Sequence, residues 1–321
     1  MALGEFQLIE RFFAQSHVRR PETILGVGDD CALLAVPAGM ALAVTMDTLV
    51  EARHFPVDTD PCDVGYKALA VNLSDLAATG AQPAWATLSL SLPEADEAWL
   101  AAFSAGLFGL AQEHGVELVG GDTVRGPRVI TLQLHGFVPP GAALTRKGAR
   151  PGDLIYVSGT LGDGGAGLAV ASGGLACAVA DAAWLRGRLD RPTPRVSTGM
   201  ALRGIATAAV DISDGLAADL GHILERSGVG ARVELEALPL SAELLRAASS
   251  AQARQWALTA GDDYELCFTV PPEQAAAVAA LPVLCTRIGV IEAATGLRIV
   301  NGQGQPVTLS ATGHDHFSGQ Q

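Results

Sequence analysis

The chain has 321 residues, of which 49% are hydrophobic and 17% are charged, with a formal net charge of −13 and five scattered cysteines. This length and apolar content allow two buried cores and exclude a disordered chain, while the acidic balance argues against a nucleic-acid binder, which would carry basic patches. No stretch is apolar enough to predict a membrane span, and the odd cysteine number predicts neither a disulfide framework nor a zinc site, so we expect a cytoplasmic protein.

The first half of the chain alternates helical and strand patterns. In chain order we predict a helix over 5–16, a strand within the segment 41–51 that ends near Asp47, and a helix over 62–79. We then predict a strand over 84–93, a helix over 94–114, and a pair of strands over 116–126 and 128–138 around a Gly-rich turn. The basic connector TRKGARPGD follows, and we place the domain boundary there, with domains 1–148 and 149–321.

The second half also mixes strands with helices. We predict a strand over 154–159, a Gly-rich segment and a helical stretch after it, a strand that enters a helix over 208–224, and strands within 229–240, 264–270 and 286–293. The fold class is therefore α/β (α+β), with two domains that could share one plan.

One Gly-rich segment matches a dinucleotide-binding pattern. GDGGAG at 162–167 follows a strand, and Asp181 lies about 20 residues further on, as that fingerprint requires. Asp181, however, falls inside an Ala-rich helical run rather than at the end of a second strand. We therefore favour a tight turn with close backbone packing over a dinucleotide site.

The aspartates carry more information than any glycine motif. They are Asp29, Asp30, Asp47, Asp75, Asp122, Asp211, Asp214, Asp262 and Asp263. Each alone is most simply a helix cap or a turn residue, but nearly all stand at strand ends or in Gly turns beside apolar sequence, where α/β folds place their sites. Converging carboxylates need cations, and an all-oxygen set suits Mg²⁺ bound together with phosphates. We therefore predict a multi-metal phosphate site.

The segment ALAVNLSDLAATGAQP places one acid in the middle of an apolar helix. Asn72, Asp75 and Thr79 share one face, and leucines cover the other side. A solvated face would normally carry Lys, Glu or Arg, and this one carries none. We infer that Asp75 projects into the phosphate site.

The segment VDISDGL predicts a strand that feeds a helix. Val210 and Ile212 point to one side of the strand, and Asp211 and Ser213 point to the other. Asp214 then falls at the start of the helix, where backbone N–H groups attract anions. An ordinary helix cap explains the same residues equally simply.

Taken together, GVGDDCA, TMDTLVEARHF, GYKALAVNLSDLAATGAQP, GGDT, SGTLGDGGAG, VDISDGL, GDDYELCF and GHDHF resemble the thiamine-monophosphate kinase family in order and spacing over nearly the whole chain. That family belongs to the superfamily of aminoimidazole ribonucleotide synthetase, selenophosphate synthetase and a hydrogenase maturation factor. The resemblance implies transfer of the ATP γ-phosphoryl group to thiamine phosphate. It also implies Mg²⁺ ions, two α/β domains, and a homodimer whose N-terminal domains build a shared β-barrel.

The resemblance also assigns roles to residues. It implies that Asp30, Thr45, Asp47, Asp75, Asp122, Asp211 and Asp214 hold Mg²⁺, that Gly121, Asp122, Arg146 and Ser213 contact ATP, and that His54, Asp262 and His314 contact thiamine phosphate. It implies no catalytic base, because the acceptor phosphate has a second pKa of about 6 and is already largely ionised. Asp75 and Asp122 are expected to matter most. Arg146 as a surface arginine and His54 as a structural histidine are the plainer alternatives.

Three positions depart from the family pattern. Met46 replaces a Ser or Thr, so that only its backbone carbonyl could serve as a ligand. Asp262 replaces a Glu and has a shorter reach, and His314 replaces an aromatic residue. His314 either stacks on the thiamine ring or faces solvent in the C-terminal tail.

Two rival functions stay open at this level. One is another enzyme of the superfamily: selenophosphate synthetase would need a reactive residue near the N-terminus, but Cys31 in GDDCA fits a packed small residue better. The other is a nucleotide-binding relative that has lost catalysis.

Overall fold

A computed structural model describes residues 4–14, 18–308 and 313 of the chain. These form two compact units. The first comprises the described residues up to Leu76 together with Ala81–Gly141, and the second comprises Ala77–Gly80 and the described residues from Ala142 onward. Both units mix helices with β-sheet, which agrees with the predicted fold class. The domain boundary predicted between residues 148 and 149 stays a prediction.

The elements before Gly141 agree with most of the predicted pattern. They are α1 (Glu5–Phe12), β1 (Thr23–Leu25), β2 (Leu33–Leu34), β3 (Ala41–Val50), α2 (Pro61–Thr79), β4 (Gln82–Leu92), α3 (Glu97–His114), β5 (Glu117–Arg125) and β6 (Val129–Val138). Strand β3 continues to Val50, so Asp47 lies inside the strand and not at its end. Asp96 caps α3 by accepting hydrogen bonds from the N–H groups of Ala98 and Trp99.

The main sheet of the first unit has the strand order β3-β6-β4-β5. Strands β5 and β6 were predicted to pair with each other, and this is wrong. Strand β4 lies between them, parallel to β5 and antiparallel to β6. The link from β5 to β6 passes the end of β4, where the N–H of Gly126 donates to the carbonyl of Leu92 at 2.9 Å.

The two faces of this sheet differ in burial. On one face, side chains such as Leu90, Ile130, Leu132 and Leu134 are almost completely buried. The opposite face keeps Met46 of β3 exposed along with other residues of the same strand. The strand alternation therefore separates a core face from an open face.

Helices α2 and α3 cross at close range because each carries a glycine at the crossing. A Cβ atom at Gly65 would lie 2.0 Å from the carbonyl oxygen of Phe103, and one at Gly106 would lie 1.8 Å from that of Cys62. No larger side chain fits at either position without moving a backbone. This contact fixes α2, and with it the polar face of that helix.

The second unit contains the remaining elements. They are β7 (Leu154–Ser158), α4 (Asp163–Ala171), α5 (Val179–Asp190), α6 (Val196–Ala201), β8 (Ala208–Asp211), α7 (Leu216–Ser227), β9 (Gly230–Glu234), α8 (Ala242–Ala247), α9 (Ser250–Thr259), β10 (Leu266–Val270), α10 (Ala275–Val278), β11 (Cys285–Glu292) and β12 (Gly296–Val300). Short 3₁₀ turns occupy Leu235–Ala237 and Pro272–Gln274.

The sheet of the second unit has the strand order β12-β9-β11-β7-β10-β8. Its pairs are antiparallel except β12 with β9. The core on this sheet includes Val157, Val210, Ile212 and Leu220, so Val210 and Ile212 point inward as the sequence predicts. Within the described ranges, no helix is both long and apolar enough to cross a membrane.

Candidate active site

Strand β3 carries two of the predicted metal ligands on one face. Thr45 and Asp47 are two residues apart and oppose Leu134 and Leu132 of β6, whose side chains belong to the core face. Met46 lies between them on the open face, 61% exposed. Its side chain therefore points away from Thr45 and Asp47, and the missing Ser or Thr oxygen at this position would not have faced them.

Helix α2 brings a third predicted ligand to this face. The hydroxyl of Thr45 donates a hydrogen bond to Oδ2 of Asp75. Asn72, one turn before Asp75, is completely buried, and its Nδ2 donates to the carbonyl of Ala68 at 3.1 Å. The stripe that carries Asp75 is therefore no solvated helix face, as its lack of Lys, Glu and Arg predicted.

A cavity of about 660 Å³ in the first unit gathers another group of predicted residues. Asp30, Gly121 and Asp122 line it, together with Asp29 and apolar residues of α1 and β5. Gly121 has φ +154°, and a Cβ atom there would lie 1.9 Å from the carbonyl oxygen of Leu88, so only glycine fits. Residues about 90 positions apart in the sequence thus meet at one opening, whose volume is typical of small-molecule sites.

The interpretation of Cys31 as a packed residue is wrong. The sequence context suggested a packed small residue, but Cys31 is exposed and lines the cavity beside Asp30. Within the loop GVGDDCA, Ala32 packs against a small core cluster that includes Trp85 and Phe137, whereas Asp29, Asp30 and Cys31 are exposed.

His54 lies in the turn that follows β3. The ring Nδ1 of His54 accepts a hydrogen bond from the backbone N–H of Val50 at 2.9 Å, and the backbone N–H of His54 donates to the Val50 carbonyl at 2.9 Å. The ring is therefore held against the end of the strand, and it is half-buried. This orientation agrees with a binding role and does not exclude a structural one.

In the second unit, the loop between β8 and α7 is organised by an acid that the sequence analysis missed. Oδ2 of Asp219 accepts hydrogen bonds from the N–H groups of Ser213, Asp214 and Gly215 at 3.0, 3.0 and 3.1 Å. Burial raises the pKa of Asp219 to about 7, although these N–H donors act in the opposite direction. The N–H groups that were expected to attract an external anion are therefore already bound to an internal carboxylate. The pattern Asp-x-x-x-x-Asp in DGLAAD was the available signal.

The GDDYEL loop lies directly beside the Ser213 loop. The N–H of Asp262 donates to the carbonyl of Ser213 at 2.9 Å, and the N–H of Tyr264 donates to that of Ile212 at 2.8 Å. A Cβ atom at Gly261 would lie 2.1 Å from the Ser213 oxygen. The loop at Ser213 and the loop at Asp262, which were predicted to contact different substrates, therefore pack directly against each other in this unit.

The two acids of that loop have different environments. Asp263 is buried, and its carboxylate accepts hydrogen bonds from the N–H groups of Gly162 and Gly164 at 2.7 and 3.1 Å. Burial raises its pKa to about 8. Asp262 and Tyr264 on either side adopt φ values of +65° and +50°, which are unusual for residues other than glycine. Asp262 stays half-exposed and is the acid that can meet a ligand.

The GDGGAG segment serves packing, as predicted. A Cβ atom at Gly164 would lie 2.5 Å from the carbonyl oxygen of Asp262, and one at Gly167 would lie 2.3 Å from that of Leu185. Asp181, the residue at the dinucleotide-fingerprint distance, is buried in α5 and bonded to Arg246 at 2.6 Å. It does not act as a ribose-binding acid.

Three further residues were predicted to contact metal or substrate. Asp211 ends β8 and is buried. Arg146 is exposed in the connector, and its carbonyl accepts a hydrogen bond from the Ser227 hydroxyl at 3.3 Å. His314 lies outside the described residues.

The donor set on β3 and α2 fits a hard cation. Carboxylate and hydroxyl oxygens that are only partly exposed are the ligands Mg²⁺ takes in proteins. Over residues 4–14, 18–308 and 313, no group of three or more His, Cys, Asp or Glu side chains is assembled as a ready metal cage. Mg²⁺ typically binds through one or two carboxylates plus substrate phosphates, so the arrangement suits an ion that arrives with a nucleotide.

The two-unit fold, with its acids on β3, α2 and β5, belongs to a known class of proteins. Residues 28–138 match the family of AIR synthase related proteins, N-terminal domain, and residues 150–301 match the corresponding C-terminal domain. The first match contains the β3, α2 and β5 acids, and the second contains the loops at Ser213 and Asp262.

Closer relatives narrow the class. The chain is 53% identical to the thiamine-monophosphate kinase of Escherichia coli strain K12, over 99% of both chains. The crystal structure of thiamine-monophosphate kinase from Stenotrophomonas maltophilia K279a is similar, with 49% identity, coverage of 96% and 99%, and a TM-score of 0.86. A structure of AaThiL complexed with AMPPCP and TMP has 33% identity, 99% coverage of both chains and a TM-score of 0.78. The chain belongs to the thiamine-monophosphate kinase family.

Proposed function

We propose that this chain transfers the γ-phosphoryl group of ATP to thiamine phosphate, giving thiamine diphosphate and ADP, with Mg²⁺ as the cofactor. The observation that carries the proposal is the Thr45–Asp75 pair beside Asp47 on the core face of β3, within a chain 53% identical to a thiamine-monophosphate kinase. The relative solved with AMPPCP and TMP supports the same two substrates. Because the reaction consumes ATP, we also propose a cytoplasmic location.

The metal-binding residues we propose are acids and one hydroxyl. In the first unit they are Asp30, Thr45, Asp47, Asp75 and Asp122, and in the second unit they are Asp211 and Asp214. The partial exposure of Thr45, Asp47 and Asp75 supports this, because ions bound there stay accessible to phosphates. When bound, Mg²⁺ neutralises phosphate charge and aligns an in-line transfer.

The nucleotide contacts we propose are Gly121, Asp122, Arg146 and Ser213. Gly121 and Asp122 line the 660 Å³ cavity, where a residue without a side chain lets a ligand approach the backbone. Asp219 fixes the loop of Ser213 before any ligand arrives. Arg146 is exposed and can pair with a phosphate oxygen.

Thiamine phosphate is proposed to contact His54, Asp262 and His314. The half-exposed carboxylate of Asp262 can pair with the cationic thiazolium ring, while the buried Asp263 cannot. The acceptor oxygen is already ionised near neutral pH, so no residue needs to remove a proton. The protein then needs only to hold ATP and thiamine phosphate with the attacking oxygen in line with the γ-phosphoryl group.

A homodimer is also proposed, with the open face of the first unit's sheet as its interface. Leu42, Val44 and Met46 alternate along β3 and are 43%, 51% and 61% exposed. Strand β3 is also an edge strand, and an apolar edge is a place where another strand can add. A second copy would cover this stripe and could extend the sheet into the shared barrel.

The decisive test mixes the purified chain with Mg²⁺, ATP and thiamine phosphate and measures both thiamine diphosphate and the consumption of ATP by chromatography. Parallel reactions replace thiamine phosphate with aminoimidazole ribonucleotide precursor or selenide. Product only with thiamine phosphate supports the proposal. Product only with another acceptor supports a different superfamily activity, and calorimetric binding of ATP–Mg²⁺ without any product supports an inactive relative.

A further inference from the structure

A second cavity, of about 530 Å³, lies in the second unit between α5 and the loop after it. None of the residues implicated in phosphoryl transfer lines it. Its walls include Thr160, Trp184, Arg188, Thr193 and Arg195. The cavity is therefore separate from the residues proposed for the kinase reaction.

Two arginines meet over one buried acid at the base of this cavity. Arg195 Nε donates to Glu265 at 2.6 Å, and Arg188 donates to the same carboxylate at 2.9 Å. Glu265 is fully buried and also accepts from the Ser158 hydroxyl at 2.6 Å. Each guanidinium has more N–H donors than these contacts use. Arg188 Nε is a buried donor without a hydrogen-bond partner among the described residues.

Asp163 is another carboxylate near Arg188, but it offsets little of the positive charge of the two arginines. It lies 3.7 Å from Arg188 Nε, and its oxygens already accept from the hydroxyls of Thr160 and Ser241 at 2.7 and 2.6 Å. Burial raises its pKa, which favours the neutral acid. Two guanidinium charges therefore share one fully buried carboxylate, and both arginines line the cavity.

Helix α5 adds an aromatic surface to the same wall. Trp184 and Arg188 are four residues apart and share a helix face, and Trp184 is 47% exposed. Gly187 lies beside them, and a Cβ atom there would meet nothing within 4 Å. A planar ring can therefore stack on the indole while an anionic group reaches the arginines.

We propose that this cavity is a second ligand site, which binds the phosphate group of a small phosphorylated molecule through Arg188 and Arg195 and its planar ring on Trp184. A phosphate offers several oxygens in a tetrahedral arrangement and can accept from two guanidinium groups at once. A carboxylate matches a single fork better. The proposal does not depend on the kinase activity and is tested without it.

The test uses calorimetric titration of the full chain in EDTA, since without divalent ions the acid clusters repel phosphates. The probes are uridine monophosphate, inorganic phosphate and benzoate. We expect saturable binding of uridine monophosphate, weaker binding of phosphate, and none of benzoate. Equal or tighter binding of benzoate would overturn the phosphate assignment, and no saturable binding of uridine monophosphate would overturn the site.

Two variants that are matched in size but differ in charge locate the binding. Gly187→Glu and Gly187→Gln place side chains of the same size into open space, but only the first adds an acid that pairs with the arginines. We expect Gly187→Glu to weaken uridine monophosphate binding about tenfold or more, and Gly187→Gln to weaken it only severalfold at most. Equal weakening by both would overturn the role of the arginines.

Two further variants separate ring from phosphate and check the fold. Trp184→Ala should remove the advantage of uridine monophosphate over inorganic phosphate, and an unchanged advantage would overturn the stacking role. Arg186→Gln changes an arginine of the same helix that pairs with Asp190 instead, and it should bind like the wild type. Melting curves confirm that each variant is folded before its binding is compared.

Discussion

The hydroxyl of Thr45 on β3 donates a hydrogen bond to the carboxylate of Asp75 on α2. The bond joins a strand to a helix 30 residues further along the chain. It forms on the core face of the sheet, where Asp47 also points, and it helps to hold the Asp75 carboxylate in one orientation. We propose that the pair holds this carboxylate in position for a cation before one binds.

Replacing Asp75 with Asn should abolish catalysis without unfolding the chain. The amide oxygen can still accept from Thr45, but the negative charge that attracts Mg²⁺ is gone. We expect kcat/KM to fall by about a hundredfold or more, as when one key electrostatic group is removed, with an unchanged melting temperature. Asp58→Asn, at an exposed acid of the same unit, is the matched control. Near-normal turnover of Asp75→Asn would show that the acid is not a ligand.

Asp219 should be required to shape the loop that carries Ser213 and Asp214. Asp219→Ala leaves three N–H groups without their acceptor, which should cost about 1–3 kcal/mol of unfolding free energy. The KM for ATP should also rise, because the loop loses its fixed position. Glu225→Ala, at an exposed acid of the same helix, should change neither quantity. Loss of stability with an unchanged KM would limit Asp219 to a structural role.

Much of the first unit could be predicted from local patterns. The α2 stripe of Asn72 and Asp75 carries its signal in the absence of charged neighbours, and the structure buries Asn72 completely. The prediction for α2 succeeded because helix periodicity decides which side chains share a face. The separation of Thr45 from Met46 by the alternation of β3 is a finding of the structure.

Other features depend on contacts that sequence periodicity does not encode. Strand β5 pairs with β4 and not with β6, and the link between β5 and β6 passes the end of β4 at Gly126. The different environments of Asp262 and Asp263 depend on Gly162 and Gly164, about 100 residues earlier in the chain. Adjacent identical residues give no local signal for which of them is buried.

The buried Asp263 should make stability depend on pH. Its pKa rises from 3.8 to about 8 in the folded chain, mainly through burial. Below about pH 4 the carboxyl is protonated in both states, so its contribution to stability is complete. As pH rises toward 8, the unfolded chain releases a proton that the folded chain retains, and stability falls by up to about 1.4 kcal/mol per pH unit.

Asp263→Asn removes this titration, although it weakens one of the hydrogen bonds to Gly162 and Gly164. The wild type should therefore lose stability relative to the variant between about pH 4 and pH 8. Urea unfolding at several pH values measures the difference. Parallel pH profiles for the two proteins would contradict the assignment of a raised pKa to Asp263.

The apolar stripe on β3 should control the oligomeric state. Val44→Glu places a charge in the middle of the stripe, and burying it against a second copy would be strongly unfavourable. We expect the wild type to sediment as a dimer and Val44→Glu as a monomer with reduced activity. Val179→Glu changes a valine in the second unit that is 87% exposed, and it should stay dimeric. A wild-type monomer, or a dimeric Val44→Glu variant, would contradict the proposed interface.

The crossing of α2 and α3 gives a prediction about stability alone, with its control on the same helix. Gly106→Ala adds a methyl group 1.8 Å from the carbonyl oxygen of Cys62, so the helices must separate, and we expect a loss of about 1–3 kcal/mol. Gly109→Ala, one turn later, adds the same group where nothing lies within 4 Å. That change should stabilise α3 by about 0.5–1 kcal/mol, because alanine loses less backbone freedom than glycine on folding. Denaturant unfolding distinguishes the two, and because α2 carries Asp75, only Gly106→Ala should also lower activity. A Gly106→Ala variant as stable as Gly109→Ala would show that the helices do not approach this closely.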